Sequence, residues 1–265
     1  MDHPHAETGA LITGGAQGLG RAVAERLIAE GCRRLVLVDL DARKLAATVE
    51  ELRANGAEVH ALPLDMGDIP AVQGMVAEAV ARIGPVTALV NGAANTARGS
   101  VLDTTPEQWD AIMNPNAKGA FFAMQGFARH CIAAGHPGAV VNILSIVVHG
   151  GLPVLAPYVA SKAALLGLTK NVAAALLPHR IRVNGINVGW MDTPGEDARQ
   201  KLSHGRADGW QAEAAASLPF CRMVRPEDVA WQVAFLLGPR SGVVTGSVMD
   251  FDQQVVGAYP DTDAH

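Results

Sequence analysis

The sequence has few cysteines, few grouped histidines and no excess of basic charge, and each shortage excludes a class of protein. The three cysteines, Cys32, Cys131 and Cys221, are odd in number and far apart, so we interpret them as reduced residues of a cytoplasmic chain. With 21 basic and 26 acidic residues the net charge is −5, which disfavours nucleic-acid binding. No cysteine or histidine grouping has metal-ligand spacing, so no metal is expected.

Long uninterrupted hydrophobic runs are also lacking. The best candidate, residues 139–148, contains Asn142 and Ser145 and is better interpreted as a core strand than as a membrane span. Residues 1–7 have neither a basic region nor a long apolar segment, so no signal peptide is expected. Apolar residues still make up 49% of the 265 residues, which is enough for one globular domain covering residues 1–265.

What the sequence does contain is a regular alternation of strand and helix patterns. Most strand candidates are continuous apolar runs, which is typical of parallel strands that are covered on both faces. The alternation predicts an α/β fold, a Rossmann-type doubly wound parallel sheet of about seven strands with helices on both faces. The predicted strands are residues 10–13, 34–39, 57–63, 86–91, 138–144, 180–187 and 247–250. The predicted helices are residues 18–30, 41–55, 69–83, 106–134, 157–177 and 226–237.

One segment interrupts the alternation. Residues 189–220 are polar and predicted to be irregular, and an insertion of this length between the last strands is typical of an active-site lid. Ligands of an open α/β sheet bind beyond the carboxyl ends of its strands. Asp39, Asn91, Ser145 and the segment after Val188 are all expected at that edge, so we expect them to surround one site.

A glycine-rich turn follows the first predicted strand. Gly14, Gly18 and Gly20 have the spacing G-x-x-x-G-x-G, which is a variant of the dinucleotide-binding fingerprint. Glycine permits close backbone approaches, and the free N–H groups at the start of the next helix suit a pyrophosphate. An ordinary glycine-rich turn between a strand and a helix would have the same appearance.

A carboxylate ends the second predicted strand nineteen residues after Gly20. Asp39 in this position would accept hydrogen bonds from the adenosine ribose hydroxyls and would repel the 2′-phosphate of NADP. The alternative role for Asp39 is the N-cap of the following helix. Leu40 and Asp41 follow, so no basic residue is adjacent to Asp39. The pattern predicts NAD as the cofactor, although Arg43 and Lys44 are not far away.

The most informative pattern is Tyr158 and Lys162, with Ser145 thirteen residues before the tyrosine. A spacing of four places Tyr158 and Lys162 on one face of a helix. We expect the ammonium of Lys162 to lower the pKa of Tyr158, so that the phenol can exchange a proton with an alcohol or ketone. Ser145 could hold the substrate oxygen. The Y-x-x-x-K spacing alone is weak evidence, because both residue types are common on amphipathic helices.

Together these motifs resemble the short-chain dehydrogenase/reductase family from about residue 8 to residue 251. The resemblance implies an adenine contact at Asp65 and Met66, and a backbone contact at Asn91, Gly92 and Ala93, where the family usually has N-N-A-G. It also implies that Asn116 supports a proton relay through water and Lys162. The segment from Asn187 to Thr193 matches N-P-G-x-x-x-T, except that Val188 replaces the proline and could let the backbone relax.

These patterns give a defined set of expected site residues. The expected catalytic residues are Asn116, Ser145, Tyr158 and Lys162. The expected cofactor-binding residues are Gly14, Gln17, Gly18, Leu19, Gly20, Asp39, Leu40, Asp65, Met66, Asn91, Gly92, Ala93, Tyr158, Lys162, Val188, Gly189, Met191 and Thr193. The expected substrate-binding residues are Ser145, Val147, His149, Tyr158 and Trp190. His149 is equally well interpreted as a solvent-facing loop residue.

The function expected from these residues is NAD-dependent hydride transfer between the cofactor and a secondary alcohol or ketone. The polar lid favours a sugar, polyol or hydroxy acid. The alternatives are an NADPH-dependent carbonyl or 3-oxoacyl thioester reductase and, from another class, a non-catalytic dinucleotide sensor. The resemblance implies a homotetramer formed through helices 106–134 and 157–177. The tail to His265 could cover a neighbouring subunit, although its last five residues are better interpreted as frayed.

Overall fold

Seven parallel strands form one sheet in the computed structural model of the protein, which describes residues 3–258. In chain order they are β1 (Gly9–Thr13), β2 (Arg34–Asp39), β3 (Glu58–Pro63), β4 (Ala88–Asn91), β5 (Gly138–Ser145), β6 (Ile181–Val188) and β7 (Val248–Phe251). Their spatial order is β3-β2-β1-β4-β5-β6-β7, so the direction of winding reverses between β1 and β4. The predicted doubly wound sheet is confirmed, and the reversal is where such sheets bind ligands.

Helices cover both faces of the sheet. Within residues 3–258 they are α1 (Gly18–Ala29), α2 (Ala42–Arg53), α3 (Ile69–Ile83), α4 (Pro106–Met113), α5 (Ala120–Ala134), α6 (Ala156–Leu176), α7 (Pro194–His204), α8 (Trp210–Ala216) and α9 (Pro226–Leu237). Neighbouring strand residues point to opposite faces, so Ala10 and Ile12 pack with α1, α2 and α9, whereas Leu11 packs with α3, α5 and α6. Each fully buried Leu or Ile side chain contributes roughly 1.5–3 kcal/mol to stability.

The helix predicted over residues 106–134 is interrupted. A π-helical segment, Asn114–Gly119, separates α4 from α5. Pro115 has no N–H for a regular helical hydrogen bond. Gly119 packs so tightly that a Cβ atom there would lie 2.2 Å from the carbonyl oxygen of Met66. The proline and this close contact explain why one wide turn replaces continuous α-helix.

The lid is more regular than predicted, because residues 189–220 contain α7 and α8. The Thr193 hydroxyl accepts a hydrogen bond from the Glu196 N–H at 3.1 Å, and Pro194 occupies the first helical turn. Gly205 ends α7 in the left-handed region, with φ of 59°. This combination of cap, proline and terminal glycine is a helix signal that the polar composition obscured.

Two tryptophans connect the lid to the end of β6. The Trp190 and Trp210 rings stack with centroids 5.5 Å apart. Trp190 Nε1 donates to Glu196, and Trp210 Nε1 donates to Asp197, at 3.0 and 2.9 Å. Trp210 also packs with Ala214, Leu218 and Met223 in a small separate hydrophobic cluster.

Within residues 3–258 no helix combines the length and the hydropathy needed to cross a bilayer. The last five residues, which the sequence indicated to be frayed, lie outside the described range, as do residues 1, 2, 259 and 260.

Candidate active site

A cleft of about 1850 Å³ lies at the carboxyl ends of the strands. A pocket for one small ligand occupies roughly 300–1,000 Å³, so this cleft has room for a dinucleotide and a second molecule. All of the site residues expected from the sequence line the cleft except Asn91 and Asn116. The structure therefore brings the glycine turn, the end of β2 and the Ser-Tyr-Lys group to one continuous surface.

The glycine turn leaves space for a ligand at the start of α1. Gly14 has a φ of 74°, and a Cβ atom on Gly20 would lie 2.1 Å from the Gly14 carbonyl oxygen. The turn therefore folds back tightly on itself, and larger residues at these positions would open it. Gln17 occupies the N-cap of α1 but makes no side-chain capping hydrogen bond. The first turn of α1 therefore has main-chain N–H groups without a side-chain cap, an arrangement that suits a pyrophosphate.

Asp39 lies at the cleft edge without serving as a helix cap. Its carboxylate accepts hydrogen bonds from the main-chain N–H groups of Ala16 and Asp41, both at 3.1 Å. Asp41 is the N-cap of α2 and accepts from the Lys44 N–H at 3.0 Å. Each carboxylate oxygen has two acceptor positions, so Asp39 keeps capacity for ribose hydroxyls.

Asn91 lies outside the cleft wall, contrary to its expected place. Its amide donates to Asn142 Oδ1 at 2.8 Å, and the Asn142 amide donates to Thr169 Oγ1 at 2.9 Å. These buried bonds link β4 to β5 and to α6. Gly92 and Ala93 do line the cleft, and their N–H groups donate to Thr13 Oγ1. Asn91 thus supports this segment from within the core.

Tyr158, Lys162 and Ser145 come together at the end of β5. Lys162 is 2% exposed, its Nζ donates to the Ile143 carbonyl oxygen at 2.8 Å, and it lies 5.7 Å from the centre of the Tyr158 ring. Tyr158 and Lys162 are four residues apart on α6 and therefore share one face of the helix. Ser145 meets them because it lies at the end of β5. The three side chains come from α6 and the strand beside it.

The expected lowering of the Tyr158 pKa is wrong for this structure. Burial raises the pKa of Tyr158 to about 12; the hydrogen bond with Ser145 opposes this, Glu196 adds to it and Arg199 opposes it. Burial also lowers the pKa of Lys162 to about 8. Sequence spacing predicted that the two groups are neighbours, but it carried no information about how far each is removed from water.

Asn116 is buried behind the cleft surface and contacts the residues that support α6. Its Oδ1 accepts from the Asn95 N–H at 2.7 Å, and its Nδ2 donates to the Asn95 carbonyl oxygen and to Ser161 Oγ at 2.9 and 3.0 Å. Ser161 in turn donates to the Tyr158 carbonyl oxygen at 2.7 Å. The π-helical turn thereby positions Asn116 against the backbone of α6 beside Lys162, without placing it on the cleft surface.

The segment after β6 does not relax where Val188 replaces the family's proline. Val188 stays in the strand opposite Phe251, and the Gly189 N–H donates to the Phe251 carbonyl oxygen at 3.0 Å. Thr193 lines the cleft, although its hydroxyl already caps α7. On the opposite side of the cleft, Asp65 accepts from the Gly67 N–H at 2.7 Å, which is a turn contact.

At the substrate end, His149 is held by other side chains. Its Nε2 lies 2.9 Å from Asp250 Oδ1 and 3.2 Å from the Asn187 amide nitrogen. Burial opposes ionisation of Asp250, but hydrogen bonds from Asn187 and His149 hold its pKa below the ordinary value. The loop after β5 is therefore tied to β6 and β7, and Val147 and Trp190 line the cleft nearby.

Sequence reasoning assigned no site role to Arg98 or to Arg199, although Arg199 falls within the predicted polar lid. Both line the cleft, one on the loop after β4 and the other on α7. The Nε atom of each guanidinium is buried without a hydrogen-bond partner. A basic residue shortly after the predicted fourth strand was the available signal, since that strand ends at the ligand-binding edge of the sheet.

Comparison with known proteins agrees with this geometry. A protein-family model described as enoyl-(acyl carrier protein) reductase matches residues 14–253. The chain is 33% identical over 246 residues to the short-chain reductase protein NovJ of Streptomyces niveus, covering 93% of each chain. It is 33% identical over 250 residues to a sorbitol dehydrogenase of Cereibacter sphaeroides, covering 92% of this chain and 95% of the relative.

Solved structures extend the similarity to the whole fold. NAD+-bound xylitol dehydrogenase has a TM-score of 0.85 at 28% identity, covering 94% of this chain and 99% of that one. A variant of actinorhodin polyketide ketoreductase with NADPH also has a TM-score of 0.85, at 30% identity, covering 94% and 97%. The chain belongs to the short-chain dehydrogenase/reductase family of oxidoreductases.

Proposed function

We propose that the protein is an NAD-dependent oxidoreductase that interconverts a secondary alcohol and a ketone on a polar substrate such as a sugar, polyol or hydroxy acid. The observation that carries the proposal is one cleft that contains both the Ser145-Tyr158-Lys162 group and the glycine turn with Asp39. The similarity to sorbitol and xylitol dehydrogenases supports the substrate class.

The cofactor-binding residues fit a dinucleotide from end to end. The uncapped start of α1, at Gly18, Leu19 and Gly20, would hold the pyrophosphate, and Asp39 would bind the adenosine ribose. The negative charge of Asp39 would exclude a 2′-phosphate, and the neighbouring Leu40 offers no compensating charge. NAD would supply the hydride acceptor or donor when bound.

The side chains of the cleft would provide the proton chemistry. In reduction the Tyr158 hydroxyl would donate its proton to the ketone oxygen, and in oxidation the Tyr158 phenolate would take the proton back from the alcohol. Ser145 would hold the substrate oxygen by a hydrogen bond. Lys162 would bind the nicotinamide ribose, and its pKa of about 8 lets it exchange a proton near neutral pH. Asn116 would keep the first turns of α6 in place through Ser161. Thr193 and Met191 would contact the nicotinamide end.

A second candidate is an NADPH-dependent carbonyl or 3-oxoacyl thioester reductase. The description of the matching family model and the similarity to a polyketide ketoreductase with NADPH favour it. Asp39 and Asp41 argue against it, because two carboxylates near the ribose position oppose a phosphate. A non-catalytic dinucleotide sensor would have no need for the Ser-Tyr-Lys group.

We also propose a cytoplasmic homotetramer in which α4, α5 and α6 form subunit contacts. α6 has apolar residues around much of its circumference, which favours cover on more than its sheet side. Sedimentation at micromolar concentration tests the proposal, and a monomer there would refute it.

The function is tested by measuring NADH formation by the purified protein with NAD and a panel of sugars, polyols and hydroxy acids. We expect turnover that falls about 100- to 10,000-fold in Tyr158→Phe, because the variant lacks the oxygen that exchanges a proton with the substrate. The variant should still bind NADH, which separates loss of chemistry from loss of fold. Turnover only with NADPH and a 3-oxoacyl thioester would favour the second candidate, and cofactor binding without turnover on either panel would favour the sensor.

A further inference from the structure

We propose that the substrate carries an anionic group, a carboxylate or a phosphate, which Arg98 and Arg199 bind beside Tyr158. The inference rests on the proposed function and narrows its substrate class, because it separates hydroxy acids and phosphorylated sugars from neutral polyols. It is carried by two arginines on different elements that line the same end of the cleft.

The two arginines lack the acidic partners that other basic residues of the lid have. Arg206 pairs with Glu213 at 3.0 Å, and Lys201 pairs with Asp197 at 2.9 Å. Within residues 3–258 no carboxylate oxygen lies within 4 Å of a nitrogen of Arg98 or Arg199, although both side chains are half-buried. Their Nε atoms are also without hydrogen-bond partners, so each guanidinium retains donors for a ligand.

The local charge also favours an anion. Burial and the positive charge of Arg98 lower the pKa of Arg199, whereas Glu196 and Tyr158 act in the opposite direction. Arg98 Nη2 lies 3.0 Å from His204 Nε2, and a histidine side chain has no negative charge that could offset the guanidinium. Two like charges held close together in a half-buried cleft are unfavourable, and one bound anion would remove that repulsion.

Among residues 3–258, Glu196 is the acid whose charge bears on Arg199, and its carboxylate is already engaged in hydrogen bonds. Its Oε1 accepts hydrogen bonds from Trp190 Nε1 and Gln200 Nε2 at 3.0 and 2.7 Å. Its negative charge offsets that of one arginine, which leaves one positive charge for a ligand. The planar guanidinium groups could bind a carboxylate or a phosphate through paired hydrogen bonds.

The position of the arginines assigns them to the substrate and not to a cofactor phosphate. Arg199 interacts electrostatically with Tyr158, which lies beside Ser145 at the end of β5. Asp39, where a 2′-phosphate would lie, is at the end of β2, three strands away in the sheet order. With neighbouring strands roughly 4.8 Å apart, that separation is roughly 14 Å.

The first test measures anion binding and needs no turnover. Calorimetric titration of the NADH-saturated protein with malonate, and separately with inorganic phosphate, distinguishes a carboxylate site from a phosphate site. We expect saturable binding of at least one probe, weakened about tenfold or more in Arg98→Gln and in Arg199→Gln, because each loses charged hydrogen bonds. The control is Lys201→Gln, which removes the same charge from the lid but from a side chain that is paired with Asp197 and does not line the cleft.

Two outcomes of the titration would overturn the proposal: no saturable binding of either probe, or equal weakening in Lys201→Gln. Thermal unfolding and NADH binding of each variant show that the fold is intact. The second test compares kcat/KM for sorbitol and for gluconate. A preference for the acid that disappears in Arg199→Gln supports the proposal, and a preference for sorbitol refutes it while leaving the proposed function in place. If neither compound reacts, the titration alone decides.

Discussion

The Lys162 ammonium donates a hydrogen bond to the main-chain carbonyl oxygen of Ile143 at 2.8 Å, two residues before Ser145 on the same strand. This bond joins α6 to β5 at the point where the proposed catalytic side chains meet. It holds a cation in a site that is 98% shielded from solvent, where burial lowers the lysine pKa to about 8. Burial of the Lys162 ammonium therefore lowers the free energy of unfolding at neutral pH.

Replacing Lys162 with Met is expected to stabilise the fold at pH 7. Because the lysine pKa is about 8 in the folded state and 10.5 in the unfolded state, folding discourages protonation. The free-energy penalty for burying the charged lysine is fully present below pH 8, decreases between pH 8 and 10.5, and disappears above that range. Its size is up to about 3 kcal/mol. Urea unfolding of the wild type and Lys162→Met from pH 7 to pH 10 measures it.

We expect the stability difference between Lys162→Met and the wild type to shrink steadily across that pH range. The exposed residue Lys170 on the same helix provides the control, since Lys170→Met removes an equal charge without relieving burial. A stability difference independent of pH would show that packing, and not the buried charge, causes the effect.

Asp39→Asn is expected to shift cofactor preference from NADH towards NADPH. The substitution keeps an oxygen that can accept from the main chain at Ala16 or Asp41, but it removes the charge that would oppose a 2′-phosphate. The ratio of the dissociation constants for the two cofactors should change about tenfold or more, as expected for a charged hydrogen bond. Fluorescence titration of reduced cofactors measures the ratio.

The matched control for this prediction is Asp41→Asn, two residues further along. Asp41 caps α2, and Asn is an equally good N-cap, so the fold should be retained. If Asp41→Asn changes the cofactor ratio as much as Asp39→Asn, general electrostatics and not a ribose contact sets the preference.

Asn91 and Asn142 are expected to be coupled in their effect on stability. Asn142→Val leaves the buried Asn91 amide without its strongest acceptor and should cost about 1–3 kcal/mol. Adding Asn91→Val should cost less than the sum of the two single changes, because no donor is then left unpaired. Urea unfolding of the four proteins measures the coupling, and strict additivity would mean that the 2.8 Å bond contributes nothing specific.

Trp190→Ala is expected to loosen the lid without unfolding the domain. The variant loses the stack on Trp210 and the hydrogen bond to Glu196. Aromatic pairs contribute about 0.5–1.5 kcal/mol, so amide hydrogen exchange within α7 and α8 should become roughly 2- to 10-fold faster. Trp231→Ala on α9, whose ring lies under Arg26, is the control. Equal acceleration of lid exchange in both variants would contradict a local role for Trp190.

The sequence predicted most of the fold because burial on both faces makes each parallel strand a continuous apolar run. The ends of α1, α2, α3, α6 and α9 also lie within two residues of their predicted positions. The π-helical turn was foreseeable only in part: Pro115 is visible in the sequence, but the close approach of Gly119 to the carbonyl group of Met66 is a contact between residues distant in sequence.

The site was less predictable than the fold. Helical spacing and strand ends were enough to place Tyr158, Lys162 and Ser145 together. The direction of the Tyr158 pKa depends on solvent exclusion by the surrounding chain, which no local pattern encodes. Asn91 was assigned to the cleft from its place at a strand end, but its side chain points into a polar core network that only the three-dimensional structure reveals.

The division of the cleft has a consequence for redesign. The adenosine and pyrophosphate end of the proposed cofactor site is built on β1, β2 and the turns after them, whereas Arg98, His149 and α7 lie on segments that follow β4, β5 and β6. Loop and lid residues can therefore be exchanged with little strain on the strands that form the dinucleotide cradle. New substrate preferences should be reachable by varying residues 98, 149 and 196–206 as a separate module, while Met191 and Thr193, the proposed nicotinamide contacts, are retained.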